Sequence, residues 1–136
     1  MIAHISTIHW NCAKSVLKSI TILTVTGSRN FNNYELLKKT IRSKYPDVQT
    51  IVTGCGEGTD SLAARYARED NRTLIQISPN YAESKQYPIE LSHWDMLNKG
   101  QEVLAFWDGS SSNTGHVISR AKTLCKPLRT IKFTHV

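Results

Sequence analysis

Ile20-Thr21-Ile22-Leu23-Thr24-Val25-Thr26 runs without a charge into Gly27-Ser28-Arg29-Asn30-Phe31. A β-branched run that stops at a glycine and gives way to a polar turn reads as a buried strand feeding a loop. Two later stretches repeat the pattern. Ile51-Val52-Thr53 leads into Gly54-Cys55-Gly56-Glu57-Gly58-Thr59-Asp60, and Val103-Leu104-Ala105-Phe106-Trp107 leads into Asp108-Gly109-Ser110-Ser111-Ser112-Asn113-Thr114. In an open parallel sheet such loops share the carboxyl edge of the strands, where ligands collect.

Outward from that run, strands and helices alternate. Asn32 stands three residues before Glu35, the spacing of a capping box. Tyr34, Leu37, Ile41 and Tyr45 follow at helical spacing until Pro46. Residues 48–53 read as a second strand. A helix starting at Thr59 or Asp60 carries Leu62, Ala63, Tyr66 and Ala67 as its apolar stripe. Residues 73–78 read as a third strand, 80–88 as a polar loop over the sheet edge with Tyr81 and Tyr87, and 89–98 as a helix. Residues 102–107 form strand four. Val117, Ile118, Ala121, Leu124 and Cys125 mark the last helix, and 128–133 the fifth strand.

Alternation of this kind means βαβ units with right-handed crossovers. The predicted fold is α/β: a single Rossmann-like domain over residues 20–136, with a five-stranded parallel sheet (order 3-2-1-4-5) and helices on both faces. That order sets the loops after strands one and four side by side at the switch point. Residues 1–19 show no steady period and are expected to be an N-terminal extension, in which Ile5, Ile8, Val16 and Leu17 could pack as an added strand or a short helix.

The chain has 136 residues, 40% of them hydrophobic and 21% charged, enough for one domain with its own core. No apolar run approaches the ~20 residues of a membrane span, and the start of the chain has no clean signal-peptide core. Three cysteines at wide spacing argue against a disulfide framework and for a reducing compartment. The expected location is cytoplasmic, without a membrane partner. The net charge of +6 is uneven: beyond Asp108 stand Arg120, Lys122, Lys126, Arg129 and Lys132 and no acid. A basic face that keeps the protein soluble accounts for this. A nucleic-acid footprint lacks the interleaved aromatics that would support it.

Each loop has chemistry suited to an anion. Gly27, Ser28 and Arg29 offer a close backbone approach, a hydroxyl and a guanidinium, though alone they also describe a plain turn. Gly54, Gly56 and Gly58 open onto a helix start, where free N–H groups and the dipole favour a phosphate. The spacing matches neither the dinucleotide fingerprint nor a Walker loop. Asp60 suits a helix cap more readily than a ribose contact. Asp108, Gly109, Ser111, Asn113 and Thr114 make a second cradle before the last helix, with His116 in its first turn. Cys55 has no paired base, and the histidines and cysteines show no metal spacing. Neither a metal nor a cofactor is expected.

Taken together, Gly27-Ser28-Arg29 with Phe31, the loop from Gly54 to Asp60, and Ala105-Phe106-Trp107-Asp108-Gly109 through Ser111, Thr114 and His116 resemble the YspA-like members of the SLOG superfamily. That superfamily joins the DNA-processing protein A fold to the Lonely-guy phosphoribohydrolases. The resemblance runs from about residue 20 to 133. It implies a Rossmann-like domain that binds a nucleotide-derived ligand, with Gly27, Ser28 and Arg29 on phosphate or base. It further implies Gly54, Gly58, Thr59 and Asp60 around phosphate and ribose, completed by Ser111 and Thr114. The sequence departs from the family at the Arg-Asn pair before Met96, where Ser92 and His93 stand. Asn113-Thr114 replaces the Gly-Thr of related loops, and Val117 takes the place of the hydrolases' glutamate.

Since glycosidic hydrolysis leans on a carboxylate, these departures favour a binding module for a nucleotide-derived small molecule, as sensor or sequestering device. The alternative is an N-glycosidic hydrolase acting on nucleoside monophosphates, with Glu57, Glu90 or Asp95 as substitute acids. A weaker alternative is single-stranded nucleic-acid binding by the basic C-terminal third. By analogy with the superfamily, a homodimer or higher homo-oligomer is expected.

Overall fold

A computed structural model describes residues 2–10, 19–82 and 86–135. The chain runs β1 (Ile2–Trp10), β2 (Ile22–Gly27), α1 (Tyr34–Lys44), β3 (Thr50–Gly54), α2 (Thr59–Glu69), β4 (Thr73–Ile77), α3 (Pro88–Lys99), β5 (Glu102–Trp107), α4 (Ser112–Thr123) and β6 (Leu128–His135). One sheet holds the six strands in the order β1-β6-β5-β2-β3-β4. The five strands from β2 onward are mutually parallel and follow the predicted 3-2-1-4-5 order. The sheet is nonetheless mixed and six-stranded, because β1 adds antiparallel to β6 at the edge. This corrects the five-stranded expectation. Ile2, Ile5 and Ile8 recur every third residue, which hides the two-residue period of a strand. An edge strand tolerates that phase, and Ile5 and Ile8 are 44% and 61% exposed.

Alternation along the central strands feeds two cores. Leu104 and Phe106 join Leu23, Val25 and the inner faces of α1 and α2. Val103 and Ala105 face the other way, onto Leu97 of α3 and Val117, Ile118 and Ala121 of α4. Thr24 lies on the α3 side as well, donating its hydroxyl to the Met96 carbonyl at 2.8 Å. The sheet is therefore covered by helices on both faces, which is why its central strands read as continuous apolar runs.

Two local expectations shift. The cap of α1 is Asn33, whose side chain accepts from the Leu36 amide at 3.1 Å, not Asn32. Phe31, 1% exposed, stacks on Phe106 with ring centroids 4.4 Å apart; this ties down the incoming chain and leaves the turn to close one residue later. The cysteines also depart from expectation, since Cys55 is free while Cys125 is disulfide-bonded. Val16, Leu17 and Cys12 lie outside the described residues. Among the described residues no helix is long and apolar enough to cross a membrane.

Candidate ligand-binding site

β2 and β5 are neighbours, and Gly27 pairs with Phe106 at their carboxyl ends. The three loops meet there, and Ser28 holds them together. Its amide donates to the Phe106 carbonyl at 2.8 Å and its Oγ accepts from the Asp108 amide at 3.0 Å. Its carbonyl accepts from the Thr59 amide at 3.3 Å and from the Thr59 hydroxyl at 3.0 Å. Such a contact needs bare backbone on both sides. A Cβ on Gly27 would stand 2.2 Å from the Phe106 carbonyl oxygen, and one on Gly58, at φ +68°, would stand 2.3 Å from that of Arg29.

Above this knot lies a cavity of about 580 Å³. Nine of the predicted site residues line it: Gly27, Arg29, Gly54, Gly56, Asp60, Asp108, Ser111, Asn113 and Thr114. Ser28, Gly58, Thr59 and Gly109 are not among its walls. The first three form the knot beneath, and Gly109 packs against the Lys132 side chain. The walls also include Ile77 at the end of β4, Pro79 and Tyr81 after it, Ile89, Ser92, His93 and Met96 of α3, and Val117 of α4.

Asp60 is not the cap of α2, which is Gly58. It lies inside the first turn and reaches back across its own loop. One oxygen accepts from the Thr53 hydroxyl and the other from the Gly56 amide, each at 3.2 Å. Burial pushes its carboxyl up from the ordinary value, against the opposing pull of Gly56, Thr53 and the Arg29 charge. Asp108 behaves oppositely. Burial alone would raise it, but the Ser111 and Ser110 amides, the Ser111 hydroxyl and Asn30 outweigh that and bring it to about 2. Its oxygens sit 2.7 and 2.9 Å from those amides and 2.8 Å from the hydroxyl. The carboxylate thus folds its own loop and engages the Ser111 amide and hydroxyl, while Ser111, Asn113 and Thr114 line the cavity.

On the α3 wall, Ser92 donates its hydroxyl to the Ile89 carbonyl at 2.6 Å. His93 Nδ1 lies 2.8 Å from the Arg120 guanidinium of α4. Burial first, and then the Arg120 charge, lower His93 to about 4. Sequence reasoning noted Ser92 and His93 only as departures from a family pattern, and Val117 as such a departure and as part of the apolar stripe of the last helix. It placed Tyr81 in a loop over the sheet edge, and assigned no role to Ile89, Met96 or Ile77. Among the described residues no cluster of three or more His, Cys, Asp or Glu could hold a metal.

No curated protein and no solved structure matches the chain. Residues 21–83, which contain β2, β3 and the first two site loops, match the family model described as "YspA, cpYpsA-related SLOG family". Over this region, which carries Gly27-Ser28-Arg29 and the loop from Gly54 to Asp60 and is somewhat under half of the chain, the protein is similar to that SLOG family.

Proposed function

We propose that the cavity binds a nucleotide or nucleotide-derived small molecule, and that the domain acts as a sensing or sequestering module. The observation that carries this reading is the convergence of three glycine- and hydroxyl-bearing loops with an apolar wall around one 580 Å³ space, a size ordinary for small-molecule sites. The two ends suit different parts of such a ligand. At one end Arg29 supplies a charge, and Ser112, Asn113 and Thr114 line the cavity at the start of α4, where the amides have no partner within the helix. That end fits a phosphate. At the other, Ile77, Pro79, Ile89, Met96 and Val117 fit the face of a base.

Titration calorimetry against AMP, cyclic nucleotides and ADP-ribose tests the proposal. Micromolar to millimolar binding of at least one is expected; silence across the panel overturns it.

A hydrolytic reading is favoured by one observation, that the carboxylates Glu57 and Asp60 line the same cavity. Glu90 and Asp95 do not, and Asp95 pairs with Lys99 at 2.6 Å. Incubation with AMP decides between the two, since a hydrolase releases adenine and a binding module does not. The cations of the C-terminal third offer less to a nucleic acid than their number suggests. Arg120 holds His93, Lys126 donates to the Gly100 carbonyl, Arg129 lies against Tyr45 and Lys132 sits over the Trp107 ring.

A further inference from the structure

We infer that His93 is a ligand-binding donor of this cavity, presenting Nε2–H, and that Arg120 is the positioning residue that fixes the ring in that state. The inference rests on the nucleotide reading and adds to it. His93 lines the cavity with 9% of its surface exposed. Its Nδ1 lies 2.8 Å from Arg120 Nη1. A guanidinium has donors only, so Nδ1 accepts and the ring hydrogen belongs on Nε2. Arg120 is itself held, with its guanidinium carbon 5.9 Å from the centre of the Trp94 ring.

The charged groups around the imidazole agree with a neutral ring. Arg120 and His116 on α4 disfavour a second positive charge, burial disfavours it more, and Glu90 on α3 opposes them without prevailing. The neighbours on the wall are Ile89, Met96 and Val117, with Ser92 already donating to its own helix. A single neutral N–H in an apolar wall is poorly matched to a phosphate, which draws cations. It suits an uncharged acceptor on a planar heterocycle, a ring nitrogen or a carbonyl oxygen. The structure thus assigns the α3 side to the base and the loop side to the phosphate.

The test is ¹⁵N NMR of the imidazoles between pH 5 and 8, with AMP and ADP-ribose as probes. In the free protein His93 is expected as the Nε2–H tautomer with no titration above about pH 5. On adding a probe that binds, Nε2 should shift while Nδ1 stays in place. Arg120→Met removes the neighbouring charge but leaves the burial, so it should move the His93 titration part of the way up toward the ordinary value of about 6.5 and make ADP-ribose affinity more pH-dependent toward pH 5 than in the unaltered protein. Arg120→Lys, which keeps a donor, should restore part of this. His93→Phe should weaken binding about three- to tenfold. An Nδ1–H tautomer, or titration near 6.5 in the unaltered protein, overturns the inference before any ligand is added. Probe binding with Nε2 unmoved overturns it and leaves the nucleotide reading standing. Silence from the whole nucleotide panel overturns that reading and this inference together.

Discussion

Gly27 and Arg29 stand two residues apart in one loop and do opposite work. A methyl group on Gly27 meets the carbonyl oxygen and amide nitrogen of Phe106 at 2.2 and 2.9 Å, and backbone in mid-sheet cannot step aside. Gly27→Ala is expected to destabilise the fold by about 2–3 kcal/mol, read as a lower urea midpoint with an unchanged slope. Gly56→Ala is the control. There the new Cβ meets only the Asp60 carboxylate, at 3.1 Å, and a loss below about 1 kcal/mol is expected. Arg29 is exposed and lines the cavity. Arg29→Ala should leave the urea midpoint in place and weaken nucleotide binding by about 1.5–3 kcal/mol, the range of a charge-assisted hydrogen bond. Calorimetry on a variant of unaltered stability separates the two roles. Equal affinity would remove Arg29 from the site.

Among the elements, the link from β2 to α1 shows how a core residue sets a functional loop. Phe31 leaves the loop after Arg29 and Asn30 and enters the core between Phe106 and Phe133, at centroid distances of 4.4 and 5.0 Å. Phe31→Ala is expected to cost about 3–5 kcal/mol by denaturant unfolding. It should also weaken nucleotide binding, because the Arg29 backbone loses its tether; full affinity in a folded Phe31→Ala protein would refute the coupling. Elements of this kind were legible in the sequence where burial imposes a period. β5 begins and ends at Glu102 and Trp107 as its apolar run predicts, and the parallel order follows from alternation and handedness. β1 was ambiguous because an edge strand need not alternate. The α3 wall was illegible for another reason. A helix reveals which residues are apolar, but not which of its inward positions meet a cavity instead of a sheet. His93 finds its partner 27 residues away on α4, where no local spacing announces it. Asp60 suited a cap by residue type, and only the folded loop shows the Gly56 amide reaching it first.

Across the whole molecule, β5 links two polar ends. At its start Glu102, 6% exposed, accepts from the Tyr45 hydroxyl and lies 3.5 Å from His9 of β1, while Arg129 of β6 donates to Tyr45. At its far end Asp108 opens the loop that leads from β5 to α4 and lines the cavity. The cavity end governs how stability responds to mild acid. His93 has a folded-state value of about 4, below the ordinary 6.5 of an unfolded chain. Between those limits the unfolded chain binds a proton that the folded one refuses, so stability falls as pH drops from about 6.5 toward 4. Asp108, held at about 2, gives stability that is complete above its ordinary 3.8 and lost only below it, outside this window. Asp60, raised by burial, binds its proton more readily when folded and works against the His93 loss. The thermal midpoint is therefore expected to be level from pH 8 to 7 and to decline below 6.5, with about 1 kcal/mol gone by pH 5.5. His93→Phe removes the titrating group and should flatten that stretch of the curve. If the variant declines as steeply as the parent, another group sets the acid limit.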